Sequence, residues 1–155
     1  MKTATLVLLT RGFSVLPAKK KRGEGLGLLN SYGGKVEAGE TIEAAAVRET
    51  NKESGVIIEP KDLEPAGNIK FFFDNKFRWE VHVFRVMKWQ GAAVETEEMG
   101  PPKWFHFDKI PYNGGQMWPS DGKWMPSVLE GKKAIGDVFY DAEGKNLLHC
   151  DILVL

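Results

Sequence analysis

A glycine-rich segment that runs directly into a long helix is the feature that most constrains this chain. Residues 33–40 contain three glycines, and the pattern that follows predicts a helix over residues 41–54. Thr41 is a suitable N-cap, and Gly55 is placed to end the helix. Because glycine has no Cβ, its backbone can approach a ligand closely and offer amides or carbonyls to it. The segment therefore predicts a ligand-contacting loop at the start of a helix.

Acidic side chains on this helix indicate a cation site. Glu49 and Glu53 are four residues apart, so at about 3.6 residues per turn they share one face of the helix. Adjacent carboxylates repel each other unless a cation lies between them, and oxygen ligands suit Mg²⁺ or Mn²⁺. Arg48 points elsewhere and can pair with Glu40, which would hold the loop against the helix. The same glutamate spacing is also typical of a solvated helix face, so the pair alone leaves both interpretations open.

Most of the remaining chain predicts β-strands. Residues 3–9 are apolar and β-rich, as in a buried central strand, and Pro126 can begin a short helix over residues 127–132. Runs rich in aromatic and β-branched residues predict further strands over residues 66–73, 80–87, 103–107, 138–140 and 147–154, with a turn at 74–76. We therefore predict a single domain over residues 1–155, either of the α+β class or built as an α/β/α sandwich.

Charge and cysteine content argue against several classes of protein. The 155 residues include 21 Lys and Arg and 21 Asp and Glu, which argues against a general binder of nucleic acid or membrane surfaces. No apolar stretch approaches the length of about 20 residues that a membrane helix needs. Cys150 is the only cysteine, so it cannot form an internal disulfide, which fits a reducing compartment. We expect a cytoplasmic protein that binds neither nucleic acid nor membranes.

The spacing of the loop and helix residues resembles the Nudix box, Gly-x5-Glu-x7-Arg-Glu-U-x-Glu-Glu-x-Gly-U, in which U is apolar. The matching residues are Gly34, Glu40, Arg48, Glu49, Glu53, Gly55 and Val56. Thr50 stands where an aliphatic residue is usual, and Lys52 replaces the first glutamate of the Glu-Glu pair. The resemblance implies the Nudix fold, an α/β/α sandwich with a mixed central sheet.

Further segments extend the resemblance over nearly the whole chain. They are Asn30, residues 81–84, 98–99, 104–105, 108–111 and 117–119, and Asp121. Their order resembles the branch of Nudix hydrolases that act on oxidised purine nucleoside triphosphates. This branch implies a metal-dependent enzyme that hydrolyses a triphosphate such as 8-oxo-dGTP to the monophosphate and pyrophosphate, with Mg²⁺ or possible use of Mn²⁺.

Site residues follow from this resemblance by position. The implied metal ligands are the Gly33 carbonyl, Glu49, Glu53 and Glu98. Glu53 is the implied residue for orienting or deprotonating the attacking water, a role that Glu49 could share. Arg48 and Glu40 complete the implied catalytic set.

The resemblance also implies a pocket for the base. Its residues would be Asn30, Phe71, Phe73, Met99, Trp118 and Asp121, with Thr5 and Lys20 nearby. A purine can stack on aromatic rings while an amide and a carboxyl contact its polar edge, and burial would raise the pKa of Asp121. Ordinary packing could also explain the aromatic residues, and Asp121 in Pro-Ser-Asp-Gly is typical of a turn. Glu24, Leu29 and Ser120 depart from the branch at positions that concern base recognition.

Lys52 keeps other functions open. It could reduce the number of bound metal ions, or it could contact phosphate oxygens as a point charge. The alternatives are a Nudix hydrolase of another nucleotide, such as a dinucleoside polyphosphate or an unmodified dNTP, and a nucleotide-binding module whose turnover Lys52 impairs. Because Glu49, Glu53 and Arg48 are all present, we favour an enzyme, and we expect a monomer with a nucleoside triphosphate as its partner.

Overall fold

The computed structural model describes residues 2–155, and its centre is a mixed β-sheet of seven strands. In chain order the strands are β1 (Thr3–Arg11), β2 (Ser14–Val15), β3 (Ala18–Lys19), β4 (Leu29–Asn30), β5 (Glu64–Phe73), β6 (Lys76–Val86), β7 (Phe105–His106), β8 (Ala134–Tyr140) and β9 (Leu147–Val154). The order in the sheet is β7-β2-β1-β6-β5-β8-β9, and β3 pairs with β4 separately. β1 runs parallel to β6 and β5 parallel to β8, whereas the β5–β6 and β8–β9 pairs are antiparallel.

One α-helix packs on each face of this sheet. They are α1 (Ile42–Ser54) and α2 (Asp121–Leu129). Successive side chains of β1 point to opposite faces, so Val7 joins the core cluster that contains Ala46 of α1, whereas Leu8 joins the cluster that contains Trp124 of α2. Burial on both faces explains the nearly continuous apolar run in β1. The predicted α+β class and the α/β/α sandwich with a mixed central sheet are confirmed.

The ends of α1 are fixed by local chemistry. The Thr41 hydroxyl oxygen accepts a hydrogen bond from the Ala44 amide at 3.1 Å. At the other end, Gly55 adopts a left-handed conformation with φ of 84°, and its amide donates to the Asn51 carbonyl at 2.8 Å. These are the N-cap and the glycine stop that the sequence predicts.

The second helix differs from its prediction. α2 begins five residues before Pro126, so the proline lies inside the helix and not at its start. Proline lacks an N–H for the carbonyl of Gly122 one turn earlier, which costs about 3 kcal/mol. Trp124 and Val128 are fully or almost fully buried against the sheet. Burial of each large apolar side chain contributes about 2 kcal/mol, which offsets the missing hydrogen bond.

The predicted strands agree best with the structure where the β-rich run in the sequence is long. The predicted turn after β5 is confirmed, because Asp74 and Asn75 both have positive φ, 53° and 59°, as in a type I′ hairpin. β7 is only two residues long, since a single turn of 3-10 helix at Phe107–Lys109 follows it directly. Neither α-helix in residues 2–155 has the length and apolar character that a membrane crossing needs.

Candidate active site

A cavity of about 550 Å³ lies on the α2 side of the sheet, between β1, the β5–β6 hairpin, the start of α2 and residues 20–35. Seven of the eight predicted substrate residues line it: Thr5, Lys20, Asn30, Phe71, Phe73, Trp118 and Asp121. Gly33 and Glu53, from the predicted metal site, line the same cavity. The cavity therefore joins the predicted base pocket to two of the four predicted metal ligands, whereas Glu49 and Glu98 do not line it.

The double glycine is required by close packing. A Cβ on Gly33 would lie 1.9 Å from the Thr5 carbonyl oxygen, and a Cβ on Gly34 would lie 2.6 Å from Cδ of Glu49. The Gly34 carbonyl accepts a hydrogen bond from the Thr5 amide at 2.9 Å, which ties the loop to β1. Only glycine allows the loop to lie between β1 and the carboxylate face of α1.

Glu53 is a buried carboxyl held by this loop. It is 6% exposed, and its Oε1 accepts a hydrogen bond from the Gly33 amide at 3.0 Å. Burial raises the pKa of Glu53 to about 7, against the lowering effects of the Gly33 amide and Lys20. The negative charges of Glu49 and Glu98 raise it further. Three acidic side chains are thus close enough to influence one another electrostatically.

Arg48 connects two of the predicted catalytic residues. Its Nε and Nη2 donate to the two carboxylate oxygens of Glu40 at 2.7 and 2.9 Å, so the predicted Arg48–Glu40 pair is present. Its Nη1 donates to Glu49 Oε1 at 2.6 Å, so the expectation that Arg48 points away from the glutamate pair is wrong. Hydrogen bonds from Arg48 lower the pKa of Glu40 to about 2. Arg48 therefore fixes the position of the Glu49 carboxylate and holds the loop against α1.

Glu98 is surrounded by cations. Both carboxylate oxygens of Glu98 accept hydrogen bonds from Arg22, and the Lys52 ammonium lies 3.7 Å from Glu98 Oε1. Arg22 lowers the pKa of Glu98, and Lys52 adds to this effect. The unexpected lysine of the Nudix box therefore lies beside one of the predicted metal ligands.

The donor set fits a hard divalent cation by its chemistry. The Glu49 side chain lies against Gly34, the Glu53 side chain accepts from Gly33, and all donors are oxygens. Burial is the main cause of the raised pKa of Glu53, and the negative charges of Glu49 and Glu98 add to it. A bound cation would relieve the repulsion among these carboxylates. Within the described part of the chain, no three His, Cys, Asp or Glu side chains are already gathered into a metal-binding group. Glu49 and Glu98 instead contact Arg48 and Arg22.

Asp121 provides a buried carboxyl at the base end of the cavity. It is the first residue of α2, it is 5% exposed, and its Oδ2 accepts no hydrogen bond from any of residues 2–155. Burial raises the pKa of Asp121 to about 7, as expected for a buried site residue and not for an exposed turn. The Trp124 indole N–H lies near enough to lower this pKa, although it does not reach hydrogen-bond geometry. Asp121 can therefore exchange a proton near neutral pH.

Aromatic rings form the wall beside Asp121. The ring centroids of Phe73 and Trp118 are 6.3 Å apart, and Tyr140 packs edge-on against both. The Tyr140 hydroxyl donates to Ser120 Oγ at 2.7 Å, which places Ser120 in the buried core behind the cavity. The rings thus offer stacking surfaces, while Ser120 contributes to their support.

Met99 is placed differently from its prediction. It is fully buried in the core cluster on the α1 side, with Val7 and Leu9, and it does not line the cavity. The backbone of Met99 pairs with that of Lys20, which lines the cavity. Met99 therefore lies close to the site, but its side chain points into the core.

Two residues at the cavity mouth were not predicted from the sequence. Arg78 and Trp79 of β6 line the cavity and both donate hydrogen bonds to Glu24. In the sequence, Glu24 stands out only as a departure from the branch pattern. An arginine and a tryptophan in a strand carry no sequence signal that separates a cavity wall from ordinary strand surface.

Comparison with known proteins identifies relatives over most of the chain. The sequence model of the NUDIX domain matches residues 1–128. The chain is 42% identical over 148 residues to the oxidized purine nucleoside triphosphate hydrolase of Danio rerio, covering 95% of this chain and 90% of the relative. It is 42% identical over 133 residues to the protein of the same name from Mus musculus, covering 85% and 82%. The crystal structure of a Mutator MutT protein from Bacillus halodurans shares the fold, with a TM-score of 0.81 at 24% identity, covering 98% of this chain and 97% of that one.

Proposed function

The chain belongs to the Nudix family of hydrolases, and from this premise we propose that it hydrolyses oxidised purine nucleoside triphosphates to the monophosphate and pyrophosphate. The observation that carries the proposal is the single cavity that joins an aromatic base pocket ending at Asp121 to the carboxyl of Glu53. Its volume of about 550 Å³ suits one nucleotide. The names of the zebrafish and mouse relatives support the same substrate class.

At the phosphate end, Glu53 is the residue that we propose to orient or deprotonate the attacking water. Its carboxyl lines the cavity and is held in one orientation by the Gly33 amide. Arg48 holds Glu49 beside it. Nudix hydrolases generally use a divalent metal, and we propose Mg²⁺, because the candidate ligands Gly33, Glu49, Glu53 and Glu98 offer only oxygen atoms. When bound, such an ion lowers the pKa of water and offsets phosphate charge.

At the base end, we propose that Asn30 and Asp121 contact the polar edge of a purine. The Asn30 Oδ1 accepts from the Ser31 amide at 2.9 Å, which orients the amide group in the cavity. Asp121, with a pKa of about 7, can donate a hydrogen bond when protonated and accept one when ionised. Phe71, Phe73 and Trp118 supply ring faces for the base to stack on.

The charges around the cavity suit a small anion. Lys2, Lys20 and Lys35 line it, although the whole chain carries equal numbers of basic and acidic residues. A local group of cations with no overall excess favours a free nucleotide over a long polyanion. We accordingly propose a monomer that acts on nucleotides in the cytoplasm, where its one cysteine would stay reduced.

Lys52 supports a second candidate, a nucleotide-binding module with impaired turnover. Its ammonium lies 3.7 Å from Glu98, where it competes with a cation for that carboxylate. The third candidate is a hydrolase of another nucleotide, such as an unmodified dNTP or a dinucleoside polyphosphate. Hydrolysis of 8-oxo-dGTP, dGTP, dATP and diadenosine tetraphosphate with Mg²⁺, followed by chromatographic separation of the nucleotide products, separates the three candidates. A single cleavage of diadenosine tetraphosphate gives two nucleotides, whereas a triphosphate gives a monophosphate and pyrophosphate. We expect the highest kcat/KM with 8-oxo-dGTP, and no turnover on any of the four would contradict the proposed enzyme.

A further inference from the structure

A β-bulge places Arg78 at the mouth of the cavity. In the pairing of β5 with β6, Phe71 lies opposite Trp79 and Phe72 lies opposite Phe77, so Arg78 is an extra residue without a partner. An extra residue in one strand redirects the side chains around it, and neighbouring residues no longer alternate strictly between the two faces. Arg78 and Trp79 are adjacent in sequence, yet both line the cavity.

Glu24 ties these two residues to the loop on the other side of the mouth. Its Oε1 accepts from Arg78 Nη2 at 2.8 Å and from Arg78 Nε at 3.2 Å, while its Oε2 accepts from Trp79 Nε1 at 2.8 Å. The next residue, Gly25, lies against the Trp118 ring, where a Cβ would approach Nε1 to 3.1 Å. The loop and the β6 bulge therefore meet directly over the aromatic wall.

The position of the guanidinium gives it access to a bound base. Its central carbon lies 5.0 Å from the centroid of the Phe73 ring, which lines the same cavity. Glu24 accepts from Nε and Nη2, and Nη1 makes no hydrogen bond within the described residues. The Arg78 side chain is 45% exposed, so its guanidinium is accessible from solvent. A fixed guanidinium with a free donor thus borders the stacking surface.

We propose that Arg78 is a specificity-determining residue that donates a hydrogen bond to a carbonyl oxygen of the base, with Glu24 as its positioning residue. The inference rests on the proposed function, which places a purine in this cavity. A purine with exocyclic carbonyl oxygens, such as 8-oxoguanine, accepts from the guanidinium, whereas the exocyclic amine of adenine is a donor and gains nothing from it. Arg78 would therefore favour oxopurines over adenine nucleotides.

The experiment compares binding of two monophosphates, 8-oxo-dGMP and dAMP, by calorimetry without added metal. The variants are Arg78→Met, Arg78→Lys and Glu24→Gln, with Lys76→Met as a control. Lys76 is an exposed cation of β6 that does not line this cavity. We expect Arg78→Met to weaken 8-oxo-dGMP binding about 10-fold, the range for a lost charge-assisted hydrogen bond, and to change dAMP binding less than about 3-fold. Glu24→Gln should weaken 8-oxo-dGMP binding less than Arg78→Met does. It should also raise KM for 8-oxo-dGTP while kcat is retained.

Two results would overturn the inference. One is an equal effect of Arg78→Met on both monophosphates, and the other is an effect no larger than that of Lys76→Met. Arg78→Lys keeps the positive charge at this position of β6. If both Arg78 variants lose the preference for 8-oxo-dGMP over dAMP while their melting temperatures are unchanged, misfolding is excluded as the cause. If the protein hydrolyses 8-oxo-dGTP but Arg78→Met keeps the preference, only this inference fails. If binding discrimination depends on Arg78 but no triphosphate is hydrolysed, only the proposed function fails.

Discussion

The amide of Gly33 donates a hydrogen bond to the carboxyl of Glu53 across 3.0 Å, and this contact joins the glycine loop to the carboxylate face of α1. It orients a carboxyl that is almost completely buried and that lines the cavity. The loop and the helix are twenty residues apart in sequence at this point, so the contact also fixes where the loop lies.

Replacing Glu53 by glutamine should remove most activity and leave the fold intact. The amide oxygen can still accept from Gly33, but the side chain can no longer take a proton from water or offer a charged ligand. We expect kcat to fall about 100-fold or more. The matched control is Glu43→Gln, an exposed glutamate in the first turn of the same helix. Near-normal rates for Glu53→Gln, measured with 8-oxo-dGTP and Mg²⁺, would show that another carboxylate performs the chemistry.

Replacing Gly33 by alanine should destabilise the protein. The new Cβ would lie 1.9 Å from the Thr5 carbonyl oxygen, so β1 and the loop must separate. We expect a loss of about 3 kcal/mol in the free energy of unfolding, as for other overpacked sites, measured by urea denaturation. Gly100→Ala is the control, because its Cβ would meet its nearest atom, the Lys19 carbonyl oxygen, at 3.5 Å. Equal stability of the two variants would contradict the close approach of the loop to β1.

The pKa of Asp121 predicts a pH dependence of stability. Burial raises this pKa from 3.8 to about 7, so between these values the folded state binds a proton that the unfolded state has lost. The contribution of Asp121 to stability should therefore fall as pH rises from about 4 to about 7, by at most about 1.4 kcal/mol per pH unit, and then level off. Asp121→Asn removes this contribution, whereas the contribution of Glu53 is the same in the variant and in the unmodified protein. The difference between the two unfolding free energies should thus slope over this range, and a difference independent of pH would contradict the raised pKa.

Replacing Lys52 by glutamate should strengthen binding of a divalent cation. The change removes an ammonium that lies 3.7 Å from Glu98 and adds an oxygen donor at the same place on α1. We expect the midpoint of a Mn²⁺ titration, followed by electron paramagnetic resonance, to move to lower concentration by about 10-fold. Lys61→Glu makes the same charge change on an exposed lysine paired with Glu59, away from the cavity. An equal shift in both variants would attribute the effect to net charge alone.

Local sequence determined the parts of this protein whose physical causes are also local. The ends of α1 follow from Thr41 and Gly55, because a cap needs only the residues of its own turn. Glu49 and Glu53 share one face because helical spacing alone places them there. The turn at Asp74 and Asn75 was predictable for the same reason. Together with the strand patterns, these signals were sufficient to predict the class of fold and the carboxylate face of the candidate site.

Tertiary structure decided the features that depend on contacts between distant segments. α2 includes Pro126 because burial of its apolar face against the sheet outweighs a local penalty. Met99 lies in the α1-side core because of the pairing of its backbone, which residue type does not reveal. A bulge in β6 turns Arg78 toward Glu24, 54 residues earlier. Local propensity acts over a few residues, whereas the shape of the cavity depends on the register and packing of strands far apart in the chain, and only the folded chain determines these.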